Sequence, residues 1–139
     1  MGMGKFASKE VFMSTLLYQS LSNKVLGAAF AVHTSLGPGL LESCYEGALM
    51  VELRHRQVFV ERQKVFPVQY RDEYIGAYIA DVVIENTIIV ELKSVIKLNE
   101  VMYAQILNYL KLSKLPVGYL MNFNGLRVEW KRFVNAEGP

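Results

Sequence analysis

The chain has 139 residues, 52% of them hydrophobic and 20% charged, and a net charge of +2. These values exclude long disorder and support a single domain, 1–139, with its own core, and residues 1–7 as a flexible N-terminal segment. A charge of +2 neither demands nor excludes a nucleic-acid partner, because what matters is where the charges cluster.

Met1-Gly-Met-Gly-Lys5 lacks the apolar run and cleavage site of a signal peptide, and no apolar run reaches the roughly 18 residues of a membrane span. A cytoplasmic protein with no membrane partner is expected. Residues 8–36 have helical patterning in two segments that meet near Ser20-Leu21-Ser22-Asn23, with Ser22 or Asn23 as N-cap of the second. Val25, Ala28, Ala29 and Val32 lie on one face of that segment. Gly37-Pro38-Gly39 then stops one helix and starts the next, over residues 39–56. Its apolar stripe is Leu41, Cys44, Tyr45, Ala48 and Leu49. Cys44 is the only cysteine, so no intramolecular disulfide forms and a small core hydrophobe is expected there.

After Arg56 the period changes from 3.6 to 2. Val58–Glu61, Val65–Tyr70, Tyr74–Ile84 and Thr87–Val95 read as strands, with Glu85-Asn86-Thr87 as a hairpin turn. Residues 99–113 return to helical spacing. Val117–Phe123 and Leu126–Val134 are two last strands joined at Asn124-Gly125. This order predicts an α/β (α+β) fold, a mixed central sheet flanked by helices.

The chain has two aspartates, and they differ in kind. Asp72 sits in the polar turn Arg71-Asp72-Glu73. Asp81 sits inside an apolar strand, with Ile79 and Val83 on its face and Tyr78, Ala80, Val82 and Ile84 on the other. An unpaired carboxylate buried there costs several kcal/mol. On the next strand Glu91 and Lys93, two apart, share a face. A turn centred near Asn86 puts position 81 opposite 91, with Cβ atoms roughly 4.5–5.5 Å apart. Two such carboxylates can grip Mg²⁺ or Mn²⁺, while Lys93 holds a water aimed at phosphorus. The competing reading is a half-exposed strand with Thr87, Glu91 and Lys93 facing solvent. Glu-x-Lys alone occurs about once by chance in a chain of this composition. A second copy, Glu129-Trp130-Lys131, has no acidic partner between Val101 and Val128.

Leu36–Tyr45 contains Gly39-x-x-Glu42-x-x-Tyr45. With Val32-His33, Asp81, Glu91-Leu-Lys93, Gln105-Ile-Leu-Asn-Tyr109-Leu-Lys111, Asn122-Phe123 and Lys131-Arg132-Phe133-Val134, the sequence resembles the GxxExxY family of the PD-(D/E)XK nuclease superfamily from about Asn23 to Val134. The resemblance implies a restriction-endonuclease-like αβββαβ core with an additional N-terminal helix. It implies Asp81 and Glu91 as metal ligands, Lys93 as catalytic lysine and Glu42 facing the same site. Taken by itself, Glu42 is an acid that the dipole of a helix N-terminus favours. Gln105 and Tyr109 share a helix face. Their spacing is similar to the Gln-x-x-x-Tyr motif of recombination-type and CRISPR-associated exonucleases, where the pair touches DNA. The competing reading makes Tyr109 a core residue and Gln105 a surface one. Tyr103 stands where the family often has a histidine.

His33 is either a core histidine or a neighbour of Glu42. Lys111, Lys114, Arg127, Lys131 and Arg132 are candidates for a basic rim or a scattered solvated surface. No zinc pattern or ATP-binding phosphate loop is present. The implied function is a Mg²⁺- or Mn²⁺-dependent nuclease acting on DNA. The alternative is a non-catalytic module that binds nucleic acid or protein on the same fold. A compact domain without an added DNA-reading module suggests a protein partner for targeting, and a homodimer also fits, because paired nuclease domains can cut both strands.

Overall fold

No proline stands before Pro38, and the first quarter of the chain forms one helix. The computed structural model describes residues 2–135, with side chains from Tyr18 onward, and α1 runs unbroken over Gly2–Leu36. The expected break near Ser20–Asn23 is absent, and Ser22 is buried within the helix instead of capping one. Serine and asparagine cost only a few tenths of a kcal/mol in a helix. Burial of Val25, Ala28, Ala29 and Val32 in the main core outweighs that. The flexible segment expected at residues 1–7 falls outside the residues described in full.

Helix α2 (Glu42–His55) buries Tyr45, Leu49 and Leu53. Its stripe starts later than expected, because Leu41 is the N-cap residue and is 74% exposed. Cys44, in the first turn, is also exposed and is not a core hydrophobe.

Strand β1 (Val60–Tyr70) is continuous where two strands are expected, and it pairs antiparallel with β2 (Glu73–Ile84). Arg71 and Asp72, at φ 49° and 66°, form the turn between them. Glu85 and Asn86, at φ 51° and 50°, join β2 to β3 (Ile88–Lys93). Two consecutive left-handed residues make type I′ turns, whose twist matches the flanking strands. Helix α3 (Glu100–Ser113) is capped by Asn99, whose side chain accepts from Met102 N at 3.1 Å. It carries the chain to β4 (Val117–Asn122), which lies parallel to β3, and β5 (Glu129–Val134) closes the sheet antiparallel to β4.

The sheet order is β1-β2-β3-β4-β5. One face packs on α1 and α2 through Val82, Ile84, Ile88, Val90, Leu92, Tyr119 and Met121. The other packs on α3 through Val83, Ile89 and Leu120 against Ile106 and Leu110. Strands β3 and β4 are covered on both faces, which is why they read as near-continuous apolar runs. This is the α+β architecture of a restriction-endonuclease-like fold: α2-β1-β2-β3-α3-β4 forms its αβββαβ core, with α1 added before it. Among the described residues, no helix is long and apolar enough to cross a membrane.

Candidate active site

The two central hairpin strands part at Asp81. The β2–β3 pairing runs from Ile84↔Ile88 to Val82↔Val90 and goes no further, while β1 and β2 continue together to Tyr70↔Glu73. The β1–β2 pairing also skips one residue on each strand, Gln63 and Asp81, between Arg62↔Val82 and Lys64↔Ala80. Gln63 is left-handed, at φ 53°. Facing reverses across this step. Val82 and Ile84 pack toward α1 and α2, yet Tyr78 and Ala80 pack with Val83 on the α3 side. The simple alternation expected along β2 therefore fails at Asp81, because one residue in each strand turns without changing the register. Consecutive Arg62 and Gln63 both reach Glu46 of α2, at 3.0 and 2.7 Å.

In the gap so opened, one step beyond the last pair, Asp81 and Glu91 meet as the register predicts. Leu92 N donates to Asp81 Oδ2 at 3.0 Å, and Asp81 N donates to Glu91 Oε1 at 3.4 Å. Glu91 is 7% exposed. Burial and the adjacent Asp81 push its carboxyl up to about 8. The Tyr78 hydroxyl also donates to Glu91 Oε1. Burial and Glu91 in turn raise the Tyr78 hydroxyl. Lys93, half-buried at the end of β3, and Asp81 both act electrostatically on Glu42 at the start of α2. Partial burial raises the Glu42 carboxyl, Lys93 opposes that, and Asp81 adds to it.

Glu42 reaches this position through a pinned loop. Gly37 and Gly39 adopt φ 70° and 99°, where a side chain would be strained. Tyr45 is fully buried, stacked on Phe123 with centroids 4.8 Å apart. Its hydroxyl donates to Gly37 O at 2.6 Å and accepts from Leu40 N at 3.1 Å. Tyr45→Phe leaves both backbone groups without this partner. Urea denaturation is expected to show a loss of about 1–3 kcal/mol with an unchanged m-value.

The other sequence candidates divide. Tyr109 comes to the site: its ring lies flat on Tyr78, centroids 3.6 Å apart, and burial, Glu91 and Asp81 all raise its hydroxyl. Gln105 is exposed one turn earlier on α3, with no described bond to the carboxylates. His33 is a core histidine. Its Nε2 lies 3.2 Å from Phe123 O and 2.9 Å from Gly125 O, so it carries a proton shared between two carbonyls. The second Glu-x-Lys copy is structural. Glu129 Oε1 accepts from Asn122 Nδ2 at 3.1 Å and Leu98 N at 3.3 Å, and Lys131 lies 4.2 Å over the Tyr103 ring.

Two residues near the site have no assigned role in the sequence reading, where Asn122 enters only within the Asn122-Phe123 motif and Tyr78 only as a strand neighbour of Asp81. Asn122, buried beside Lys93 on β4, accepts from Val95 N at 3.1 Å and donates to Val95 O at 2.8 Å. It thus fixes the chain just after Lys93. A lone amide within an otherwise apolar strand is the available signal for it. Tyr78 is the other, and its place among apolar neighbours gives no such signal.

The donor set suits a hard divalent cation. It is all oxygen, and two carboxylates crowd together where burial and Asp81 raise the Glu91 carboxyl. Among the described residues, no three acidic, histidine or cysteine side chains converge to hold a metal. A cation here would rest on Asp81 and Glu91 and take the rest of its shell from water and phosphate, as Mg²⁺ commonly does. Glu42 would act beyond direct ligation.

A pH dependence follows. The folded Glu91 carboxyl lies above its ordinary 4.5, so the metal-free fold favours its protonated form. That contribution is full below 4.5 and is lost as pH rises through about 8. The metal-free melting temperature is expected to fall across this window, and less so in Asp81→Asn. Because metal binding needs the ionised carboxylate, stabilisation by Mn²⁺ should grow over the same window. Thermal scans at stepped pH, with and without Mn²⁺, check both.

A family model for the PD-(D/E)XK nuclease superfamily matches residues 19–133. Among solved structures, one described as the crystal structure of SSO0001 is similar, with a TM-score of 0.53 and 16% sequence identity over 67% of this chain. That likeness is one of fold, and the matched region spans 49% of that chain. No curated protein matches.

Proposed function

The chain belongs to the PD-(D/E)XK nuclease superfamily, and on that premise we propose that it is a metal-dependent nuclease that hydrolyses phosphodiester bonds in DNA. One observation carries the reading: Asp81 and a buried Glu91 meet where β2 leaves β3, with Lys93 two residues further along. Asp81 and Glu91-Leu92-Lys93 supply the acidic and lysine positions that the superfamily's name spells, and Ala80 stands in place of its proline. Within the superfamily, Gly39-x-x-Glu42-x-x-Tyr45 supports a place in the GxxExxY branch, read as one domain over 1–139.

Asp81 and Glu91 would hold Mg²⁺ or Mn²⁺, which would supply positive charge to polarise a phosphoryl oxygen and to activate a water near neutral pH. Lys93 orients that water through its ammonium and offsets negative charge as it develops on the phosphate. Glu42 completes the acidic rim through water. The Gln105 amide and Tyr109 hydroxyl, one turn apart on α3, help place the strand. A second copy of the chain or a protein partner supplies targeting, in the cytoplasm.

The test is incubation of the purified protein with labelled single- and double-stranded DNA, and RNA in parallel, with Mg²⁺, Mn²⁺ or a chelator. Cleavage of DNA that a chelator stops is expected. Salt-dependent binding without cleavage in any metal would sink the enzyme reading and leave a binding module.

A further inference from the structure

We propose that Tyr78 is a positioning residue for the metal site, orienting the Glu91 carboxylate through its hydroxyl. The inference rests on the metal-binding reading of Asp81 and Glu91 and adds a residue to it.

Tyr78 lies three residues before Asp81, on the arm of β2 that has already left β3. The reversal at Asp81 turns its ring to the α3 side, where it is 7% exposed. Two aromatic rings hold it. Tyr109 of α3 stacks at 3.6 Å and 9°, and Phe66, its cross-strand partner on β1, at 5.9 Å and 16°. A ring held in this way has little freedom, so its hydroxyl points in one direction, and that direction is Glu91 Oε1. The same oxygen accepts from Asp81 N. Glu91 Oε2 has no donor among the described hydrogen bonds. Oε1 is thus anchored by two donors, one of them the Tyr78 hydroxyl.

The arrangement also explains a buried phenol facing a buried carboxylate. Phenylalanine would fill the same space and stack equally well, so the hydroxyl is not needed for packing. Partners that orient a ligating side chain typically change metal affinity by about 10- to 100-fold when removed.

The experiment is Mn²⁺ titration of metal-free protein followed by electron paramagnetic resonance, with thermal unfolding of the same samples. Tyr78→Phe keeps the ring and removes the hydroxyl. Leu115→Ala trims the same apolar cluster away from Glu91 and serves as the packing control. Wild type should bind Mn²⁺. Tyr78→Phe should bind with a Kd about 10-fold or more higher, and Leu115→Ala should keep the wild-type Kd despite a lower Tm. Equal Kd values for wild type and Tyr78→Phe would overturn the role of Tyr78 and leave the metal site standing. A Kd raised as much by Leu115→Ala would assign the effect to packing and overturn it as well. If wild type binds no Mn²⁺, the metal-site reading fails and this inference fails with it.

Discussion

Asp81→Ala is expected to abolish cleavage, lowering the rate by about 1,000-fold or more. The metal's charge stabilisation at a phosphoryl centre amounts to several kcal/mol, and each ~1.4 kcal/mol is tenfold in rate. The fold should survive, because Asp81 belongs to neither of the apolar clusters on the two faces of the sheet. The second reading is stability. A cation that binds only the native state raises stability by about 2.7 kcal/mol at a hundredfold excess over Kd, which is several degrees of Tm here. Wild type should show this rise with Mn²⁺, and Asp81→Ala should not. A rise that persists in the variant would place the cation elsewhere.

Lys93→Ala should separate binding from chemistry. On the proposed reading the ammonium orients a water and meets developing charge, so its loss is expected to lower cleavage by about 10²- to 10⁴-fold. Yet it ligates nothing, and the Mn²⁺-dependent rise in Tm should remain. Removing the positive charge that acts on Glu42 should favour a cation there. Single-turnover cleavage and thermal unfolding of one preparation decide the matter. Full activity would remove Lys93 from the mechanism. Loss of both activity and metal stabilisation would show that it supports the site's structure instead.

These two variants differ in origin from Tyr78→Phe. Asp81, Glu91 and Lys93 are legible in the chain itself. A carboxylate inside an apolar strand, a short turn at Glu85-Asn86 and a Glu-x-Lys on the next strand fix who can face whom, because hairpin register follows from turn length. The helix start at Asn99, the apolar runs of β3 and β4 and the glycine loop before α2 are legible for the same reason. Each depends on bonds or periodicity within a few residues.

Tertiary structure alone decided the rest. Whether Ser22 caps a helix or lies buried in one depended on the core that Val25, Ala28, Ala29 and Val32 join. Whether Cys44 was buried depended on where α2 begins. His33 found the carbonyls of Phe123 and Gly125, some ninety residues away, instead of Glu42. Tyr109, which reads as a strand-placing residue or as core, stacks against the tyrosine that holds Glu91. The reversal at Gln63 and Asp81 has no mark in the hydrophobic pattern, since both strands turn together and the register on either side is kept. Local order reads the backbone's own preferences. The partner of a buried polar group is set by which distant element the folded chain brings within 3 Å or so, and hydrogen bonds at that range carry no imprint in the residues that flank them.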